Sequence, residues 1–407
     1  MTAHNSSFLR VLNERGYVHQ ITDAAALDVL ALSGPVTGYI GFDCTAPSLH
    51  VGNLVSIMLL RRMQQTGHRP IVLMGGGTSK VGDPSGKDAS RTMLDQPTLD
   101  ANKASIRRIF ERFLTFGDGP SDAIMLDNDD WLAGLAYIPF LRDVGQHFSV
   151  NAMLKRDSVQ MRLEREQNLS FLEFNYMILQ AYDFLELFRR ENCRLQMGGS
   201  DQWGNIVGGI DLTRRMAGAE VYGVTTPLIT TADGAKMGKT AAGAVWLHED
   251  SLPTWDYWQF WRNTDDRDVG KFLRLFTDLP LAEIARLEAL QGAEINAAKI
   301  ELANAATALC RGQEAAAGAA ETARATFEDG ASGEDLPTLV VSGSISILDA
   351  TTQLGFASSK GEARRKIREG AVRIDGVKVT DENLVITITQ PTKLSLGTKR
   401  HGMLKPS

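Results

Sequence analysis

Residues 39–77 read YIGFDCTAPSLHVGNLVSIMLLRRMQQTGHRPIVLMGGG. Three elements follow one another in this stretch. Residues 39–42 form a short apolar run that predicts a buried strand, and residues 70–74 predict a second one. Between them, residues 54–65 carry an apolar face at helical spacing, with Gly67 as the stop. Strand, helix and strand make a βαβ unit, and such units build parallel sheets. Residues 194–197, running into Gly198-Gly199, and residues 227–230 repeat the strand theme.

Outward from this unit the pattern changes. From about Pro253 the strand signals stop, and the chain to Phe327 is helical in pattern and rich in Ala, Leu and Glu. Residues 328–338 (EDGASGEDLPT) read as a linker. The rest predicts a separate small unit, with short helices over 345–354 and 360–369 and a hairpin over 371–379. In that hairpin Val372, Ile374, Val377 and Val379 alternate with polar residues around Asp375-Gly376, a favoured two-residue turn.

A chain of 407 residues, 43% of them hydrophobic, is too long for one core and predicts two or three domains. Cys44, Cys193 and Cys310 lie far apart with no CxxC pair, which argues against structural zinc and for a reduced, cytosolic setting. The N-terminus lacks the basic stretch and apolar run of a secretory signal. The longest apolar runs, such as residues 54–60, fall well short of the ~20 residues of a membrane helix. The net charge of −6 is uneven. Residues 341–407 hold 11 Lys/Arg against 6 Asp/Glu, so a basic tail follows an acidic body. Such a tail suits either a polyanionic partner or a solvated surface.

Residues 44–53 (CTAPSLHVGN) join the first strand to its helix. In open parallel sheets ligands sit at the carboxyl ends of strands, and a helix N-terminus offers phosphates its N–H groups. Thr45 and His50 can donate to phosphate oxygens, and Gly52 lets a flat base approach. The alternative is a helix start capped by Ser48, with His50 on the surface. Residues 236–240 (KMGKT) follow a turn at Asp233-Gly234. Lys236 and Lys239 suit a mobile polyphosphate clamp, or else a solvated basic turn. Residues 82–88 (GDPSGKD) look like a P-loop, but their glycine spacing is short by one and Asp88 replaces Ser/Thr. Tyr176, Gln180 and Asp183 fall on one helical face among apolar neighbours, a polar stripe that needs a ligand or an internal network.

His50-Val-Gly-Asn53 resembles the HIGH signature of class I aminoacyl-tRNA synthetases, and Lys236-Met-Gly-Lys-Thr240 resembles their KMSKS signature. Residues 39–43 (YIGFD), 81–87 (VGDPSGK), Asn175-Tyr176 through Gln180 to Asp183, and 196–205 (QMGGSDQWGN) narrow the resemblance to the bacterial-type tyrosyl-tRNA synthetases, from about residue 8 onward. Asn53 departs from the last HIGH position, and Gly238 from the central Ser of KMSKS.

The resemblance implies an α/β fold in several parts. A Rossmann-like parallel-sheet catalytic domain with an inserted dimerisation segment would span 1–227. The KMSKS-like loop and an α-helical anticodon-side domain would span 228–327. A linker (328–340) and a small α+β S4 RNA-binding domain (341–407) would follow. It implies that Tyr39 and Asp183 bond the phenolic hydroxyl of substrate tyrosine, while Tyr176 and Gln180, with Asp83 nearby, hold its α-ammonium. Gln202 would contact the carboxylate region, Asp201 the ribose, and Asp43 the ammonium or ribose. His50, Gly52, Asn53, Gly199, Lys239 and Thr240 would complete the ATP site. Charge on the departing pyrophosphate would fall to Thr45, His50, Lys236 and Lys239, with Lys87 and Arg91 on a second loop. Rejection of phenylalanine would follow from unpaired Tyr39 and Asp183, and this family is itself a worked example of that rule.

Lys360, Arg364, Arg365 and Arg368 would meet RNA. The implied partners are L-tyrosine, ATP with Mg2+, tRNA(Tyr) and a second copy in a cytoplasmic homodimer, with no protein-held metal and no membrane. A tryptophan-specific relative is disfavoured by Tyr39 with Asp183 and by the S4-like tail. A non-catalytic RNA-binding descendant is disfavoured by the two lysines and His50.

Overall fold

A computed structural model of the chain describes residues 4–82, 94–234, 237–240, 243–327, 336–397 and 400–406, without the side chains of residues 157–158, 239–240 and 325–327. It divides into two compact units. One holds residues 1–252 with 260–310, the other residues 253–259 with 311–407. This partition runs through the helical stretch rather than beside it.

The first unit is built on six strands: β1 (Gln20–Ile21), β2 (Thr37–Phe42), β3 (Arg69–Met74), β4 (Ile124–Asp127), β5 (Leu195–Gly199) and β6 (Tyr222–Thr226). Their spatial order is β1-β6-β5-β2-β3-β4. Only edge strand β1 is antiparallel; the other pairings are parallel. Ile71, Val72 and Leu73 of β3 are buried, as expected of a parallel sheet covered on both faces. The chain runs outward from β2 to β4 on one side and from β5 to β6 on the other. A crevice therefore opens at the carboxyl ends of β2 and β5, where ligands bind in such sheets. The strand expected at 227–230 lies earlier, as β6. Pro227 follows its last residue and has no N–H to give a ladder.

Among the described residues, ten α-helices accompany this sheet: α1 (Ser7–Arg15), α2 (Ala24–Ser33), α3 (Val51–Gln65), α4 (Gln96–Phe113), α5 (Asp129–Leu132), α6 (Tyr137–Asp143), α7 (Val150–Leu154), α8 (Asp157–Glu164), α9 (Phe171–Glu191) and α10 (Trp203–Ala217). The βαβ unit of 39–74 forms as read, but α3 starts three residues earlier than its apolar face suggests. His50, not Ser48, is its cap; the Ser48 hydroxyl instead bonds Leu49 O and accepts from His248 N. The 21-residue α9 opens with a capping box between Ser170 and Glu173, which fixes where its polar stripe faces. A short hairpin, β7 (Lys239–Thr240) with β8 (Gly243–Ala244), follows the sheet.

Beyond it lie α11 (Thr254–Arg262), α12 (Val269–Phe276), α13 (Leu281–Glu288), α14 (Ile295–Arg311) and α15 (Gln313–Phe327). Cations tie the segment after α12 to the sheet layer. Arg62 of α3 reaches Asp278 at 2.6 Å, and Arg15 donates to the carbonyls of Thr277 at 3.0 Å and Leu279 at 2.7 Å. Burial alone would raise the Asp278 carboxyl, yet Arg61 and Arg62 hold it down at about 2.

The C-terminal part of the second unit contains β9 (Thr338–Val341), β10 (Ser344–Ser346), α16 (Ile347–Gln353), α17 (Lys360–Arg368), β11 (Val372–Ile374), β12 (Val377–Lys378), β13 (Val385–Thr387), β14 (Thr392–Leu396) and β15 (Arg400–Pro406). The main sheet runs β12-β11-β14-β15-β9, with β9 parallel to β15. β9 thus occupies residues read as linker. Asp375 and Gly376 both have positive φ, 45° and 81°, matching the turn chemistry expected. Ile347, Ala363, Ile367, Leu394 and Leu404 form its core.

Candidate active site

A cavity of about 490 Å³ opens at the β2/β5 crevice. Its lining joins residues from distant parts of the chain: Tyr39, Asp43, Thr45, His50, Gly52 and Asn53 from β2 and α3, Tyr176, Gln180 and Asp183 from α9, and Gly199, Asp201 and Gln202 after β5. All twelve are residues the sequence marks out. Asp83, Lys87, Arg91 and Lys236 lie outside the described residues, and only the backbone of Lys239 and Thr240 is described.

One end of the cavity is dry and charged. Asp183 is 2% exposed. Its Oδ1 accepts from Trp131 Nε1 at 2.8 Å and its Oδ2 from Asn128 Nδ2 at 3.0 Å. Burial pushes its carboxyl up to about 7 against the pull of these two donors. Tyr39 is 1% exposed and packs edge-on against Phe184, with centroids 5.4 Å apart. Burial, and then the charge of Asp183, raise its phenol well above the usual range. The Tyr39 hydroxyl has no partner in the described chain, and neither has Oε1 of Gln180 or of Gln196. Each such group costs about 1–3 kcal/mol while unpaired, so a ligand that pairs with them is strongly favoured. Gln180 Nε2 donates to Gln202 Oε1 at 3.3 Å, which links the polar stripe of α9 to the turn after β5.

The other end is made of backbone. His50 Nδ1 accepts from Gly52 N at 3.0 Å, an arrangement that assigns the ring proton to Nε2. Asn53 Oδ1 accepts from His50 N at 3.2 Å and completes the cap of α3. The side-chain oxygen of Asn53 thus holds the helix start together. Residues 237–240 and 243–245 lie across this helix start: Val51 N donates to Val245 O at 2.9 Å and Val245 N to Gly238 O at 3.1 Å. Gly238 has φ 101°, and a Cβ there would come within 2.8 Å of Gly52 N. A Cβ on Gly52 would come within 2.9 Å of Met237 O. The two glycines permit this contact, and a Ser at 238 would be strained in it.

Sequence reasoning missed Thr78, Asn128 and Trp131, and it gave no role to Gln196, the first residue of the 196–205 stretch. Thr78, Asn128 and Gln196 line the cavity, and Trp131 braces Asp183 from behind. Trp131 is 6% exposed and turned inward. Only the Gly75-Gly76-Gly77 run hinted at this region, because close backbone approach calls for glycine. Among the described residues no group of three His, Cys, Asp or Glu is placed to hold a metal.

On α17, Ala363 and Ile367 face the core while Arg364, Arg365 and Arg368 are exposed. Lys360 pairs with Asp349 at 2.6 Å, Arg368 with Glu382 at 3.0 Å and Arg365 with Glu369 at 3.8 Å. Exposed pairs of this kind contribute little and separate readily for a polyanion.

The family model for class I tRNA synthetases (W and Y) matches residues 32–328, and a model for the tyrosine–tRNA ligase SYY-like C-terminal domain matches residues 327–395. The chain is 68% identical to the tyrosine–tRNA ligase of Novosphingobium aromaticivorans and 63% identical to that of Zymomonas mobilis, covering 100% of both chains in each case. Among solved structures it resembles a C-terminally truncated mitochondrial tyrosyl-tRNA synthetase of Aspergillus nidulans. There the TM-score is 0.71 at 30% identity, over 79% of this chain and 95% of that one.

Proposed function

We propose residue roles from one premise: the chain belongs to the class I tRNA synthetases, among their tyrosine–tRNA ligases. It uses ATP to convert L-tyrosine to tyrosyl-adenylate with release of pyrophosphate, then passes the tyrosyl group to the 3′ terminal adenosine of tRNA(Tyr).

The dry end of the cavity reads the amino acid. The phenolic hydroxyl of tyrosine bonds Asp183 and Tyr39, and the observation that carries this reading is the pair itself. A buried carboxylate fixed by two donors sits in the same pocket as a buried hydroxyl with no partner among the described residues. Tyr176 and Gln180 hold the α-ammonium with Asp83 near them, and Gln202 faces the carboxylate region. Tyrosine then lies with its carboxylate towards the helix start of α3.

The carboxylate attacks the α-phosphorus of ATP. An O–P bond forms, the bond to the bridging oxygen breaks, and pyrophosphate carries the electron pair away. The nucleophile is already ionised at neutral pH, so no general base is needed. Positioning and stabilisation of the leaving charge do the work. Thr45, the Nε2–H of His50, Lys236 and Lys239 supply that stabilisation, with Lys87 and Arg91. Asp43, Gly52, Gly199, Asp201 and Thr240 seat the nucleoside. Asn53 serves chiefly by holding the cap of α3. Magnesium is read as arriving with the nucleotide substrate.

The domain roles are likewise proposals: catalysis in 1–227, the loop and anticodon-side helices in 228–327, and RNA binding in 341–407 through Lys360, Arg364, Arg365 and Arg368. We assign the inserted segment to a homodimer interface. Tyr137, Ile138, Leu163 and Phe171 are 60%, 70%, 53% and 68% exposed there, which suits a partner surface. We place the enzyme in the cytoplasm with its tRNA; no helix among the described residues is long and apolar enough to cross a membrane.

Pyrophosphate exchange into ATP, with tyrosine, tryptophan or phenylalanine added singly, tests the site. Exchange with tyrosine alone is expected. Exchange with tryptophan or phenylalanine at a comparable rate would overturn the reading of Tyr39 and Asp183.

A further inference from the structure

The side chain of Asn128 sits behind Asp183, and its amide is fully used. Oδ1 accepts from Gly77 N at 2.8 Å and Thr78 N at 3.4 Å. Nδ2 donates one hydrogen to Asp183 Oδ2 at 3.0 Å and the other to Thr78 Oγ1 at 2.9 Å. An amide has two acceptor sites and two donor hydrogens, so nothing is left over. The network also sets which way the amide faces. Reversed, its oxygen would oppose the Asp183 carboxylate and its NH2 would oppose two backbone N–H groups.

Thr78 is the side chain that makes this sense of the amide self-consistent. The residue is 3% exposed and lines the cavity. Remove the oxygen, and one Nδ2 hydrogen is buried without an acceptor while Asn128 still has to face Asp183. The three-glycine run is the clearance for this arrangement. A Cβ on Gly75 would stand 2.7 Å from Thr78 Oγ1, one on Gly76 2.3 Å from Asp127 Oδ1, and one on Gly77 3.0 Å from Leu132 Cδ1. Asp127 is fixed in turn, accepting from Gly76 N at 3.0 Å and from Lys103 at 2.6 Å. The end of β4 therefore grips the turn after β3 through two consecutive side chains, and the second of them reaches the candidate phenol reader.

We propose that Thr78 is a positioning residue for tyrosine selection, acting through Asn128 to fix the carboxylate of Asp183 towards the substrate hydroxyl. The proposal rests on the assignment of Asp183 given above. It makes a distinction that a merely structural role would not make. Phenylalanine brings no hydroxyl to Asp183, so the aim of that carboxylate does not enter its activation.

The test compares kcat/KM for tyrosine and phenylalanine in pyrophosphate exchange, using the full chain and the variants Thr78→Val, Thr78→Ser and Asp183→Asn. The ratio of the two values is independent of the fraction of enzyme that folds. Thr78→Val is expected to lower kcat/KM for tyrosine about 10-fold, mainly through KM, and that for phenylalanine less than about 2-fold. Thr78→Ser keeps the oxygen and is expected to restore the ratio to within about 2-fold of the parent. Equal losses on both amino acids, or an unchanged ratio in Thr78→Val while Asp183→Asn loses discrimination, would overturn the proposal alone. Retained discrimination in Asp183→Asn would overturn the phenol-reader assignment, and the proposal with it.

Discussion

The two ends of the cavity are built from different materials. At the end we assign to tyrosine, the pocket is built from side chains with almost no freedom. Asp183 is clamped by Asn128 and Trp131, and Asn128 is clamped by Thr78 and two backbone amides. At the end we assign to the nucleotide, the first turn of α3 meets residues 237–240 and 243–245 through backbone hydrogen bonds, with glycines where a Cβ would collide, while His50 and Asn53 close the helix cap. The contrast follows the chemistry. Telling tyrosine from phenylalanine means pricing one hydroxyl, which requires buried groups that suffer when unpaired. Holding a polyphosphate means presenting N–H groups and positive charge to many oxygens, which tolerates looser geometry.

The largest test of this contrast is Asp183→Asn. It leaves the donors of Asn128 and Trp131 facing an amide, and we expect tyrosine activation to fall by at least ~1,000-fold in pyrophosphate exchange. The same variant carries a pH signature. A carboxyl raised by burial from its ordinary range to about 7 favours the fold while protonated, and that contribution is lost as pH climbs from about 4 through 7. The melting temperature of ligand-free Asp183→Asn relative to the parent should therefore be higher at pH 8 than at pH 5. A difference that does not change with pH would mean the carboxyl is not strained.

Next in size is Lys239→Ala, at the far end. Adenylate formation should slow about 100-fold in single-turnover kinetics with tyrosine affinity nearly unchanged. A large loss of tyrosine affinity would erase the division between the ends. Gly238→Ala is smaller. It demands a positive φ from alanine and a 2.8 Å contact with Gly52 N, a strain of about 1–3 kcal/mol, and should cost roughly 10-fold in ATP-dependent steps. Unchanged ATP kinetics would show that the hairpin need not lie against α3 during catalysis. Asn53→Ala is the smallest. It removes the acceptor for His50 N and should lower stability by about 1 kcal/mol by chemical denaturation. A loss of activity well beyond that would assign Asn53 a direct role in the reaction.

The sequence was most legible where one local period decides the outcome. The βαβ unit, the polar stripe of α9 and the Asp375-Gly376 turn each form because neighbouring residues agree on them. Residues of the cavity were legible where they sit in a signature. Asn128, Trp131 and Thr78 were not, because their importance arises only when β3, β4 and α9 meet. Nothing within ten residues of Asn128 announces that its amide faces a carboxylate 55 positions away. The cap of α3 was misread for a similar reason. Ser48 is a good capping residue, but its hydroxyl is engaged by Leu49 O and His248 N.

The parallel pairing of β9 with β15 sets a condition on how the C-terminal unit comes into being. Thr338 lies opposite Met403, so the first strand of the sheet finds its neighbour only when the last strand arrives. During synthesis the helices α16 and α17 and the β11–β12 hairpin can form from local contacts, but β9 waits at the edge until Arg400–Pro406 leaves the ribosome. Long-range closure of this kind is slow relative to local folding. The part of the enzyme read here as an RNA binder thus reaches its final sheet only once residues 400–406 are free to pair with 338–341.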